Sequence, residues 1–237
     1  MHLLILCMST SDKILLYSTI SLIVVALIVP YFAELLKRYL FRPVLKINFK
    51  LAPPSCHRTT FNLDPEKPAY FFRFEVSNIG KSICLNVENQ LENVWIYNKT
   101  GQPIKIEDFT PINLKWSLQA EILKQHINPR RRVYCNIGHI PNVKAQMNEQ
   151  ARGILINPIG YSGNDLRFEL DLVTFLNAQL NCLTPGTYIL QINTYAENHN
   201  TLANFFKISW SGQWKNDLES MFKELVITPA REPVKPK

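Results

Sequence analysis

The run Ile14–Ala33, ILLYSTISLIVVALIVPYFA, holds no charged residue. A helix of about 20 residues rises roughly 30 Å, the thickness of the hydrocarbon core of a bilayer. Such a segment must be covered by protein or by lipid, and neither helical face of this one is polar. Its polar residues, Tyr17, Ser18, Thr19 and Ser21, carry hydroxyls that can bond back to the helix's own carbonyls, and Pro30 lies near the end. Tyr31 and Tyr39 suit the interface as amphipathic anchors. The stretch is longer than the apolar core of a signal peptide, and Pro30-Tyr31-Phe32-Ala33 lacks a small-x-small cleavage pattern. Cys7 follows Leu6, which does not fit a lipoprotein site. The expectation is an uncleaved single-pass anchor: a short segment over 1–13, a transmembrane helix over 14–36 and a basic juxtamembrane linker over 37–43.

Flanking charge predicts the orientation. Lys13 is offset by Asp12 on one side, whereas Lys37, Arg38, Arg42, Lys46 and Lys50 follow on the other. The positive-inside rule then puts the C-terminal part in the cytoplasm, at the cell membrane. The same cations can attract anionic headgroups, but setting topology accounts for them without that role. Over the whole chain 26 basic residues against 19 acidic ones give a net charge of +7. Much of that excess sits beside the apolar run and in the C-terminal tail, and no broad basic face with interleaved aromatics is evident. No nucleic-acid partner is expected. Cys7, Cys56, Cys84, Cys135 and Cys182 form no CxxC and no dense framework, so reduced thiols are expected. Asn98-Lys99-Thr100 is a formal glycosylation sequon, a pattern common by chance.

Beyond the anchor, period-two alternation dominates. Leu45, Ile47, Phe49 and Leu51 share a face, as do Tyr70, Phe72, Phe74 and Val76. Leu166 to Leu172, Tyr188 to Thr194 and Phe206 to Trp210 repeat the pattern, each with one face on a core and one face wet. Ile83 to Tyr97 changes register between Leu91 and Val94, which predicts a bulge near Glu92 or a small break. Asn78-Ile79-Gly80-Lys81, Pro185-Gly186 and Asn198 to Asn200 read as turns. About seven to nine strands without strong intervening helices predict a mainly β domain, an antiparallel immunoglobulin-like sandwich over 44–212. A short C-terminal helix is expected over 213–227, from Leu218, Met221, Phe222 and Leu225 at helical spacing. A disordered Pro- and Lys-rich tail is expected over 228–237, and a long loop, with or without a short helical piece, over 141–165.

Two segments, FRFEVSNIGKSICLNVEN (72–89) and LTPGTYILQINTYAEN (183–198), resemble immunoglobulin-type or adhesin-like sandwich modules. The wider set PPSCHRT (53–59), FTPINLKWS (109–117), YCNIGHI (134–140) and ISWSGQW (208–214) is similar to uncharacterised prokaryotic membrane-anchored proteins with such a domain. That resemblance implies a fold and carries no activity.

The sharpest candidate chemistry is Cys56, His57, Cys135 and His139, two thiols and two imidazoles that could hold zinc. In a regular strand Cys135 and His139 share a face about 13 Å apart, too far for one ion unless Gly138 bends the chain. Cys135 aligns with Val133 and Ile137 as a core thiol. Cys56 and His57 are adjacent and point opposite ways, which weakens a nucleophile–base pair; His126 or His139 could serve only through the fold. Arg130-Arg131-Arg132 could meet phosphate or acidic lipid but reads first as an exposed turn, with Arg132 outward. Asp165, Glu169 and Asp171 could be paired acids, yet alternation makes Glu169 and Asp171 the wet face of a strand. Trp116, Trp210 and Trp214 fit packing better than a ligand groove. No residue is therefore assigned as catalytic, cofactor-binding or metal-ligating, and no cofactor is expected. The function expected is a membrane-tethered, non-catalytic binding or scaffold module at the cytoplasmic face, partnered by another protein or by a second copy. Alternatives are an envelope protein in adhesion or surface assembly, and a metal- or Cys-dependent hydrolase.

Overall fold

The structure is a computed structural model and describes residues 9–60, 68–107, 109–117, 123–142, 166–173 and 181–233. The chain separates at Arg42 into two units. The first holds α1 (Thr10–Leu40), a helix of 31 residues with Pro30 inside it. Ser9 caps its start: Asp12 N–H donates to the serine Oγ at 3.2 Å, satisfying one of the donors a helix leaves open. The Ser18 and Thr19 hydroxyls both donate to Leu15 O at 2.8 Å, so these polar groups are internally paired. At the far end Phe41 N–H donates to Lys37 O. The helix continues four residues beyond the boundary at 36 expected from the apolar run, because nothing in Lys37–Leu40 breaks it. Most of its large described side chains are exposed, Leu22 by 70%. It is long and apolar enough to cross a membrane.

The second unit is mainly β, built from two antiparallel sheets. One contains β1 (Leu45–Asn48), β2 (Cys56–Thr60), β3 (Pro68–Asn78), β8 (Arg132–Pro141), β9 (Phe168–Leu170) and β10 (Cys182–Leu183). The other contains β4 (Cys84–Tyr97), β5 (Pro103–Lys105), β6 (Ile112–Asn113), β7 (Gln125–Ile127), β11 (Gly186–Ala196), β12 (His199–Trp210) and β13 (Leu225–Ala230). Their inner faces share one apolar core, with Phe72, Phe74, Cys135 and Ile137 from the first sheet and Leu91, Val94, Leu190 and Ile208 from the second. Phe74 stacks on Phe206 across the layers, with ring centroids 5.7 Å apart. The alternation in the sequence produces this arrangement, since each strand turns one face inward.

Thirteen strands stand among the described residues, more than the seven to nine expected. Five of them, β5, β6, β7, β9 and β10, are runs of two or three residues, and β13 lies beyond the 44–212 range to which that expectation applied. The predicted bulge in β4 is present: Gln191 pairs Asn93 and Ile192 pairs Leu91, leaving Glu92 unopposed. At the C-terminal end, α2 (Leu218–Glu224) is shorter than the helix expected over 213–227, and β13 occupies the start of the tail expected to be disordered. Asp217 caps α2 through Ser220 N–H at 2.8 Å. Beyond Glu224, Val226 and Ile227 alternate and pair with β12, which gains a ladder that a continued helix would forgo. The loop expected over 141–165 lies outside the described residues beyond Asn142.

The turn after β3 is organised by Asn78, which is fully buried. Its amide donates to Ser82 O at 2.7 Å and Ile127 O at 2.8 Å, while its oxygen accepts from Gly80 N–H and Val44 N–H. One side chain thus ties together the entry to β1, the turn and the end of β7. Asn78→Ala leaves four backbone groups without this partner, and a loss of roughly 3 kcal/mol is expected. The denaturant midpoint of the full chain in neutral detergent measures it, and a midpoint within about 0.5 kcal/mol of the parent, the noise of such measurements, contradicts it.

Candidate functional site

Strands β2, β3, β8, β9 and β10 carry a cross-strand row on the outer face of the first sheet: His57, Phe71, His139, Glu169 and Cys182. His57 and His139 both stack on Phe71, at 6.1 and 5.0 Å between ring centroids, so an aromatic ring separates the two imidazoles. Cys56 and Cys135 belong to the core on the other face. The four candidate ligands therefore lie on opposite faces of one sheet and cannot meet at one ion. The expectation that Cys135 and His139 share a face fails for a local reason. Phe72 pairs Gly138 and Arg73 pairs Asn136, leaving Ile137 as a bulge that reverses the facing of Gly138 and His139. Among the described residues, no three His, Cys, Asp or Glu side chains converge as a metal set.

The thiols are held protonated by their surroundings. Burial pushes Cys56 up to about 12 and Cys84 up to about 11. Burial also drives Cys135 well above its ordinary value. It raises Cys182 too, against the opposing charge and hydrogen bond of Arg167. A thiol so raised offers little thiolate at neutral pH. His126 lies on β7 in the second sheet, its Nδ1 accepting from Asn86 N–H at 3.1 Å. Trp116 and Trp210 are buried, Trp210 donating to Leu166 O at 2.8 Å, and Trp214 packs on Tyr70.

Glu169 and Asp171 correct the reading as a wet face. Asp171 is 7% exposed, Arg167 on the same side of the strand is fully buried, and His139 is 8% exposed. Asp171 Oδ1 lies 2.9 Å from His139 Nδ1, and Glu169 Oε2 lies 3.3 Å from Nε2, the longer contact of the two. The backbone that places them is interlocked: Lys115 N–H donates to Asp171 O, and Asp171 N–H donates to Ile137 O. Burial alone would lower the His139 imidazole; the Asp171 and Glu169 carboxylates outweigh it and raise it to about 10. With a carboxylate at each nitrogen the ring is an imidazolium at neutral pH and has no lone pair to accept a proton. Its two nitrogens point in opposite directions, so the two acids cannot share one metal with it. Asp165 lies outside the described residues.

A second feature lies toward the β1 side of the same outer face. A groove of about 760 Å³ is lined by β1, the segment after it, the end of β3 and the start of β8. Two cross-strand rows form its floor: Lys46–Ser77–Arg132 and Asn48–Glu75–Tyr134. Lys50 and Arg130 complete a set of four cations against one carboxylate, Glu75. Glu75 is engaged already: Arg132 lies 3.9 Å away, and the Tyr134 hydroxyl donates to it at 3.3 Å. Burial, with Glu75 beside it, raises the Tyr134 phenol. Arg73 lies over the Tyr134 ring at 4.7 Å and donates to Pro54 O at 2.8 Å. The two basic runs noted separately in the sequence thus converge on one concavity. Only the pairing of β1, β3 and β8 brings them together, and periodicity carries no trace of pairing between strands so far apart in the chain.

No protein-family model matches this chain, and no curated protein does.

Proposed function

We propose that the protein is a membrane-tethered, non-catalytic binding module whose β domain works at the cytoplasmic face, engaging another protein or a second copy of itself. The observation that carries this reading is α1, whose most apolar stretch has no buried residue. A helix apolar on every side with none of its residues buried is suited to lipid. The side follows from Lys37, Arg38, Arg42, Lys46 and Lys50 after the apolar run, against Lys13 and Asp12 before it. Unpaired Cys56, Cys84, Cys135 and Cys182 are consistent with a reducing compartment. The absence of catalysis is supported by the raised thiols and by the doubly engaged His139. The edge strand β13, paired on one side by β12, offers a partner a ladder to extend.

The test uses the burial of those four thiols. In a Cys7→Ser background, Lys99→Cys places one exposed thiol on the turn between β4 and β5. A membrane-impermeant maleimide is expected to label it only after the cells are opened. Labelling in intact cells overturns the cytoplasmic assignment, and release of the full chain by alkaline carbonate overturns the tether. Mild detergent extraction should recover a defined oligomer or a partner; a strictly monomeric, partnerless chain counts against the binding role.

A further inference from the structure

We infer that the groove over β1, β3 and β8 is a binding site for a phosphate-bearing anion. The inference goes beyond the tether reading and stands on the groove itself. Its volume of about 760 Å³ suits a small molecule or a headgroup, within the usual range of roughly 300–1,000 Å³ for such sites. Its charge is one-sided: Lys46, Lys50 and Arg130 have no carboxylate partner among the described residues, and the one lining acid is already taken by Arg132 and Tyr134. The floor is shaped for a compact group. Ser77 stands between Lys46 and Arg132 in one cross-strand row, so two cations flank a small residue at about two strand spacings, roughly 10 Å. An anion seated over Ser77 would meet a flexible ammonium on one side and a planar guanidinium on the other.

Arg130 adds a separate argument. Its backbone is left-handed, with φ of 62°, a conformation that favours glycine. The turn is fixed there by Arg130 N–H donating to Asn78 O at 2.7 Å and Arg131 N–H donating to Asn128 O at 3.1 Å. An arginine at such a place lowers stability relative to glycine and adds a cationic residue to the lining of the groove. Strain kept at a charged, concave position fits a residue retained for what it binds.

The shared chemistry, a phosphate with two or more negative charges, can come from a soluble phosphate compound or from a lipid headgroup, and the experiment separates them. The full chain is melted in neutral detergent micelles with rising sodium pyrophosphate, ionic strength being matched by sodium chloride. It is also melted in phosphatidylcholine vesicles with and without phosphatidic acid. Saturating anion is expected to raise the melting midpoint by roughly 5 °C over the matched control. A shift with pyrophosphate identifies a soluble phosphate ligand, and a shift confined to phosphatidic acid identifies a headgroup. Arg130→Gly is expected to melt about 2 °C higher than the parent without ligand, because it relieves the backbone, and yet to lose most of the anion-dependent shift. Lys46→Ala should weaken the shift without that gain. No shift in either arm, or a full shift retained in both variants, overturns the assignment. The micelle arm does not depend on which side of a membrane the domain occupies, so it can fail or succeed independently of the tether.

Discussion

Replacing Gly138 by alanine is expected to destabilise the β domain by about 3 kcal/mol or more, among the largest effects of any single methyl group in this chain. The added Cβ would stand 2.2 Å from Glu169 O and 2.6 Å from Phe168 Cε1. The first of these atoms is backbone, and the strand that bears it cannot simply withdraw. Leu170 N–H donates to Asn181 O on its far side, and Lys115 N–H donates to Asp171 O just beyond its end. Phe168 is itself fully buried against Phe72. Relief therefore requires β9 to part from β8 or from its other neighbours. A fall in melting midpoint of roughly 6 °C or more is expected for a unit of this size. Gly101→Ala is the control: its φ of 74° disfavours alanine, but nothing lies within 4 Å of the new Cβ, so a loss of only about 1 kcal/mol is expected. Equal losses for the two variants would show that the close approach of β8 to β9 does not matter.

Removing the cation at His139 is expected to cost roughly 3–5 kcal/mol at neutral pH, because His139→Ala takes the imidazolium away from the buried Asp171 and the half-buried Glu169. The same group gives the parent protein a pH dependence whose sign is fixed. Folding raises the imidazole from 6.5 to about 10, so between those values the folded chain holds a proton that the unfolded chain has released. Its contribution is complete below pH 6.5 and is lost as pH rises through about 10. Denaturant midpoints at pH 6, 8 and 10 should fall in the parent, and His139→Gln should flatten this alkaline decline. Combining His139→Leu with Glu169→Gln and Asp171→Asn should recover much of the stability, since the penalty lies in unpaired charge more than in lost volume. A parent whose midpoint is level across that range would refute the buried imidazolium.

The wet-face assignment of Glu169 and Asp171 illustrates where sequence reading stops. Alternation separates Arg167, Glu169 and Asp171 from Phe168 and Leu170 correctly, but it says only that the two sets face opposite ways. Whether the polar set meets water depends on what lies against it. Here His139 on the neighbouring strand meets both acids, and the register that brings it there pairs His139 with Glu169, far along the chain. The zinc candidate failed for a related reason, one unopposed residue at Ile137. A similar irregularity at Glu92 was legible because the apolar positions on either side of it change parity. Around Ile137 the change of parity rests on a single apolar residue, Ile140, and Gly138 has no side chain to mark a face.

The amino-acid sequence alone was enough for the charge-free helix, the strands long enough to show a period, the turn at Asn78 and the bulge in β4, because each follows from neighbouring residues and their spacing. It also supplied the charge bias on which the orientation proposal rests. Tertiary structure alone decided which thiols and imidazoles share a face, which acids are buried, and that Lys46 and Lys50 meet Arg130 and Arg132 around one groove. Those outcomes depend on strand register and on what covers each face, and both are set by contacts between residues far apart in the chain.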